Sequence, residues 1–183
     1  TAEQRMDIQA DYEKTFKQYA DEPILVATAV KADVDIYPSE RQIKARVVQQ
    51  MVNKFDQPLA KMLVHLPQNT REINIKVPGA TLSEIDHKYN IAWLTFATPL
   101  APGASTEMQI ELLRSNPGFK DSDVDVLLVE NGTFINNSEL LPVFGYQPGY
   151  ELQERHERAK RDLAPVQRAH KLEDSRYYTE SGF

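Results

Sequence analysis

The residues best suited to chemistry lie near the C-terminal end. His156-Glu157-Arg158-Ala159-Lys160 starts like the zinc-peptidase helix motif H-E-x-x-H. That motif works because two imidazoles one helical turn apart grip one metal, while the Glu activates its water. Here the fifth position is Lys160, a cation that repels a metal, so the segment is expected to be a solvated helix. Asp121, Asp123 and Asp125 have the opening spacing of a calcium-binding EF-hand loop. That loop also needs Gly at its sixth position and Glu at its twelfth, where this chain has Val126 and Gly132. Turn chemistry explains these aspartates better. Asp33 and Asp35 share one strand face and could be read as paired catalytic carboxylates, but without a second motif they fit a wet sheet face.

His65, His87 and His170 lack spaced partners, so they suggest no metal site. No G-x-S-x-G elbow, G-x-G-x-x-G turn or P-loop occurs. Asn131-Gly132-Thr133 and Asn136-Asn137-Ser138 match glycosylation acceptors, a tripeptide pattern that arises easily by chance. Trp93 lies on an expected strand, where core packing outweighs a ligand platform. No residue is therefore assigned as catalytic, cofactor-binding or metal-ligating.

The elements that would position these residues can be read from periodicity. Residues 2–20 read as a helix with Met6, Ile8, Tyr12, Phe16 and Tyr19 near one face and Glu3, Arg5, Asp11, Glu13, Lys14 and Lys17 elsewhere. Pro23 ends it. From Thr28 to Tyr37 the period becomes two, with Val30, Ala32, Val34 and Ile36 alternating with polar residues, so a half-buried strand is expected. Pro38-Ser39-Glu40 turns the chain into a second strand, Arg41 to Lys54, expected to be central or covered. Further strands are expected at Lys61 to Leu66, Arg71 to Val77, Leu82 to Asp86, Ile91 to Ala97, Thr106 to Arg114 and Val124 to Val129. Residues 87–90 form a four-residue hairpin loop. Residues 140–149 read as irregular but packed, 151–163 as a solvated charged helix, and 164–183 as a tail. The fold class is mainly β, an antiparallel β-sandwich-like domain with an N-terminal helix and a charged C-terminal helix.

Composition narrows the function classes. A compact chain of 183 residues can bury roughly 70% of its unfolded surface, so a real core is available. The absence of cysteine excludes disulfides, thiol catalysis and cysteine-bound metals. A net charge of −6 argues against a nucleic-acid partner, which calls for a basic stripe. Residues 151–183 balance at seven basic and seven acidic side chains, and residues 1–150 hold the whole deficit, with 14 basic against 20 acidic. No apolar run approaches the ~20 residues that cross a bilayer, so no direct membrane insertion is expected of this chain.

One stretch is more distinctive. It runs from Asn131-Gly132-Thr133-Phe134-Ile135-Asn136-Asn137-Ser138-Glu139 through Leu140-Leu141-Pro142-Val143-Phe144-Gly145-Tyr146-Gln147-Pro148-Gly149. With Asp11-Tyr12-Glu13-Lys14 and Val34-Asp35-Ile36-Tyr37-Pro38-Ser39-Glu40-Arg41, it resembles bacterial membrane proteins that join an ABC-type transporter permease to a family-one metallo-aminopeptidase-like region. The resemblance covers the portion before the catalytic domain, which in such aminopeptidases is a β-rich, saddle-like N-terminal domain. Leu141-Pro142 and Tyr146-Gln147-Pro148 loosely echo the aromatic-Pro…Asp-Glu-Pro segment of soluble relatives, departing from it at Gly145 and Gln147. The relatives' catalytic signatures, G-x-M-E-N and H-E-x-x-H with a downstream Glu, are both missing.

The resemblance thus implies a non-catalytic, non-enzymatic piece of a larger protein. It would pack on a downstream peptidase-like domain of the same chain and help shape a peptide cleft, with residues 131–149 as the contact. Zinc would belong only to that downstream domain. The implied setting is a membrane-anchored bacterial protein, with this domain on the periplasmic or extracytoplasmic side and the cytoplasm as the alternative. Periodicity and the charge split at Glu151 give the expected organisation, a helical arm at 1–22, a β-domain at 23–150 and a charged connector at 151–183. The alternative function is an extracytoplasmic ligand-binding or assembly β-module of a transporter.

Overall fold

The computed structural model describes residues 1–67, 70–115, 128–129, 132–133 and 140–166. The chain divides into two compact units, one of residues 1–15 and 148–183, the other of residues 16–147.

The larger unit is a β-sandwich. One sheet holds β1 (Leu25–Tyr37), β2 (Gln42–Asn53), β7 (Ser105–Ser115) and β4 (Thr70–Lys76) in the order β1-β2-β7-β4. The other holds β10 (Val143–Phe144), β3 (Leu59–His65), β6 (Ile91–Leu100) and β5 (Ala80–Leu82) in the order β10-β3-β6-β5. All pairings within these sheets are antiparallel. A separate pair joins β8 (Leu128–Val129) to β9 (Gly132–Thr133), and β8 is the described part of the strand expected at 124–129.

Alternation turns one face of each sheet into apolar rows. Register aligns Ala45 with Leu112 and Ile73, and Val47 with Ile110 and Ile75. In the second sheet it aligns Met62 with Leu94 and Leu82. These rows face one another in a single core that also includes Leu25, Met51, Val64, Phe96 and Met108. Side chains at i, i+2 and i+4 share a face, so each row arises from the period-two pattern read in the sequence. What periodicity does not contain is the order of strands. After β2 the chain enters the second sheet, and β7 returns some fifty residues later to pair with β2 along its whole length.

Asn53 closes one corner of this unit. Its side-chain amide donates to the carbonyls of Gln57 at 2.8 Å and Leu100 at 3.0 Å, and its Oδ1 accepts the Phe55 N–H at 3.1 Å. Its backbone bonds to Gly103 and Ala104. A fully buried Asn is stable only when its donors and acceptors are met in this way.

β1 departs from its expected half-burial. Its first residue, Leu25, is buried, but the eleven residues from Ala27 to Tyr37 are exposed on both faces. The reason is position. β2 separates β1 from the rest of the sheet, and the second sheet does not extend over β1. β2 is central as expected, and its inward residues Ile43, Ala45, Val47, Gln49 and Met51 are all buried.

The smaller unit contains residues 2–15 of α1 (Ala2–Phe16), a 3₁₀ turn at Pro148–Tyr150, and α2 (Arg155–Ala159). The Thr1 hydroxyl accepts the Gln4 N–H and caps α1. The buried residues of α1 in this unit are Ala10, Tyr12 and Glu13, while Ile8 is exposed. The expected apolar face is thus corrected at Ile8 and Glu13. Glu13 is buried because Arg158 binds it in a two-pronged ion pair, NH1 to Oε2 at 2.7 Å and NH2 to Oε1 at 2.9 Å. Arg158 is only 1% exposed and also donates to the carbonyls of Leu152 and Ala164. The solvated helix expected over 151–163 is corrected accordingly. It is one short helix, and it ends where Leu163 N–H turns back to the Arg158 carbonyl and Asp162 takes a left-handed φ of 55°. Tyr12 meets Tyr150 edge-on, with centroids 5.9 Å apart.

Candidate functional site

The structure separates the residues whose spacing suggested chemistry. Glu157 Oε1 accepts Lys160 Nζ at 2.7 Å and its Oε2 accepts Arg161 NH1 at 2.7 Å. These two cations hold its carboxyl below the ordinary range. Glu157 is thus paired with two cations just past the end of its helix rather than poised to activate a metal-bound water. Asp33 and Asp35 are both exposed on the outer face of the first sheet, and Asp35 lies 3.9 Å from Arg46 at a solvated ion pair. His87 is exposed in the turn between β5 and β6. Among the described residues no three His, Asp or Glu side chains converge as metal ligands. Asp121, Asp123, Asp125, His170, Asn131 and the acceptor at Asn136 lie outside the described residues.

His65 is different, because sequence left it between packing and surface and the structure buries it, 3% exposed. It sits on β3 between Val143 of β10 and Ile91 of β6. Burial lowers its pKa from 6.5 to about 4, against a smaller opposing effect from a hydrogen bond to the Gly145 backbone. The neutral ring is the folded form. Between pH 6.5 and about 4 the unfolded chain binds the proton more readily, so stability is complete above 6.5 and falls with pH across that window. The expected loss attributable to His65 is about 3 kcal/mol by the low end. Denaturant unfolding of the wild type and of His65→Gln measures it, and parallel stability–pH curves for the two would show that the ring does not carry this dependence.

The outer face of the second sheet near His65 is covered by residues 16–24. Tyr19 packs edge-on against Trp93 at 4.9 Å, and Phe16 against Tyr89 at 5.1 Å. Lys61 Nζ lies 4.8 Å from the Trp93 ring and 5.4 Å from the Tyr19 ring. This cation fills the space an aromatic platform would offer a ligand. The cavity lined by Tyr19, Ile24, Lys61 and Trp93 is about 20 Å³, room for one water.

Among the described residues, two open surfaces stand out. The first is a shallow groove of about 680 Å³ on the outer face of the first sheet, lined by Asp35, Lys44, Arg46, Glu72, Asn74 and Glu111 among others. Register sets Arg46 between Asp33 and Glu111, so signs alternate across the strands. Such a mixed, wet face suits a solvated exterior or a weakly held polar ligand. The second is β1 itself. On its inner side Val30 is 49%, Val34 40% and Ile36 46% exposed, beside the buried row Ile43, Ala45, Val47 of β2. Among the described residues nothing pairs with its outer edge. Contiguous apolar exposure on a long free edge marks an interaction surface.

No helix among the described residues is long and apolar enough to cross a membrane. No protein-family model matches the chain, and no curated protein matches it. Among solved structures, it is similar to a mutant M1 zinc metallopeptidase from Deinococcus radiodurans bound to a Tyr-Ser-Ala substrate, with a TM-score of 0.41 and 14% identity over 59% of this chain. It is similar in the same measure, at 12% identity, to a two-domain M1 zinc metallopeptidase mutant bound to L-tryptophan. The chain spans about a quarter of each, 24% of their length.

Proposed function

We propose that this chain is a non-catalytic β-domain of a larger metallo-aminopeptidase-like protein. It packs on a downstream domain of the same protein through the segment 131–149 and helps shape a peptide cleft. The parent is proposed to be membrane-anchored through a transporter-type permease region, with this domain on the extracytoplasmic side and any zinc confined to the downstream domain. The observation that carries the reading is the fold. The sequence resemblance implies a β-rich, saddle-like domain, and the chain folds as two facing four-stranded antiparallel sheets. The described part of the segment is well anchored for a contact, since β10 pairs with β3 and Leu140, Leu141 and Phe144 pack on the core.

The purified chain is expected neither to hydrolyse an aminoacyl amide nor to retain stoichiometric zinc after dialysis. Chelator-sensitive hydrolysis by this chain would overturn the non-catalytic reading. The sequence encoded downstream is expected to carry H-E-x-x-H and then a Glu, and its absence there would remove the metallopeptidase part. One observation favours the alternative of a ligand-binding module, the open polar groove around Lys44, Arg46 and Glu72. Calorimetric titration of short peptides or sugars into the wild type and into Arg46→Ala distinguishes it, a saturable heat lost in the variant being its signature.

A further inference from the structure

We propose that β1 pairs with β1 of a second copy, joining the two first sheets into one continuous antiparallel sheet of eight strands about a two-fold axis at Ala32.

The free edge is long and regular. Residues 27–37 are all exposed, and Ala32 is the midpoint of that stretch. The one irregularity in the β1–β2 register lies between Ala27 and Ala29, at the end of the stretch, so residues 29–35 form an unbroken template. Native edges are usually protected by proline, bulges, charged side chains or inward-pointing charge. β1 carries Lys31, Asp33 and Asp35 on its outward face, but its inward positions from 30 to 36 are Val30, Ala32, Val34 and Ile36, with neither proline nor charge.

Side-chain direction and charge select one register. In a symmetric antiparallel seam each residue faces its mirror position about the axis, and an axis between two residues would oppose inward to outward side chains. An axis on an outward residue sets like charges face to face, Lys31 on Lys31 or Asp33 on Asp33. Among inward centres, Val30 places Lys31 against Ala29, and Val34 places Asp33 against Asp35. Only Ala32 brings Lys31 opposite Asp33 of the second copy, and by symmetry does so twice. The same register sets Val30 opposite Val34 and Ala32 opposite Ala32, which makes the exposed inner strip continuous across the seam. Within the chain neither Lys31 nor Asp33 makes an ion pair or side-chain hydrogen bond among the described residues, so both are available. Cross-strand pairs of opposite charge stabilise a seam, and like charges directly opposite weaken it.

Charge reversal tests the register. Sedimentation velocity over a concentration series is expected to show a reversible dimer of the wild-type chain. Lys31→Glu sets acid against acid twice, and Asp33→Lys sets base against base twice, so each is expected to raise the dissociation constant about tenfold or more. The double variant restores both pairs in reversed sense and is expected to return the constant close to wild type. Both sites are exposed, and circular dichroism confirms that each variant folds. Amide exchange at residues 29–35 is expected to slow in the dimer. A monomer at every concentration, a dimer indifferent to the single reversals, or a double variant no tighter than the singles would overturn the proposal.

Discussion

Replacing Arg158 with methionine is expected to destabilise the smaller unit by about 3–5 kcal/mol, the usual cost of stripping one partner from a buried ion pair. Arg158 and Glu13 are 1% and 4% exposed and are joined by two parallel hydrogen bonds. Removing the guanidinium leaves the Glu13 carboxylate buried without it and frees the carbonyls of Leu152 and Ala164. The lost energy is mainly the penalty on what remains, rather than the attraction itself. Changing both residues, Glu13→Leu with Arg158→Met, is therefore expected to recover part of the stability, because the Glu13 charge goes with its partner while the buried Glu151 carboxylate, 4.0 Å from Arg158, stays behind. Lys160 is the control. It pairs with Glu157 at 2.7 Å, yet its own side chain is 54% exposed, so Lys160→Met is expected to change little. Denaturant unfolding monitored by the amide exchange of residues 8–15 reads all three. Equal losses in the single and the double variant would show that packing by the Arg158 stem, not charge, holds the unit.

Gly145→Ala is expected to cost about 2–4 kcal/mol, from two separable sources. Gly145 has φ +74°, a left-handed conformation that burdens any residue carrying a Cβ. A Cβ there would also lie 2.6 Å from Ile24 Cγ2, well inside contact distance. Ile24 is β-branched and has little rotamer freedom to move away. The backbone cannot yield either, since Gly145 N–H donates to the Leu63 carbonyl at 2.9 Å and Gln147 Nε2 donates to the Phe144 carbonyl at 2.8 Å. Adding Ile24→Ala is expected to remove the clash but not the conformational strain, so part of the loss persists relative to Ile24→Ala alone. The thermal midpoint of the four proteins in this cycle measures the coupling. A Gly145→Ala variant as stable as wild type would show that β10 seats differently on β3.

The strands around this corner were largely legible without the fold. Period-two alternation located β2, β3, β4, β6 and β7 to within a few residues, because a strand with one buried face must alternate. It assigned β1 a buried face as well, since Val30, Val34 and Ile36 carry the same pattern whether a second sheet or a second molecule covers them. The C-terminal charges misled in the opposite direction. Charge density in residues 151–163 argues for solvent, and hydrophobicity carries no sign that Arg158 has a buried partner 145 positions earlier.

Of the site, the sequence by itself determined which catalytic and metal-binding motifs are missing from these residues. Local pattern also located α1 and the strands β2, β3, β4, β6 and β7, because burial of one face is a constraint each segment carries alone. Tertiary structure decided everything that depends on which distant segments meet. It set β7 between β2 and β4, placed His65 between β10 and β6, closed Glu13 on Arg158, and left β1 at the edge of its sheet among the described residues. The physical reason is that an amphipathic pattern specifies the need for a partner but not its identity. Identity is set by register, shape and the pairing of charges across long sequence separations.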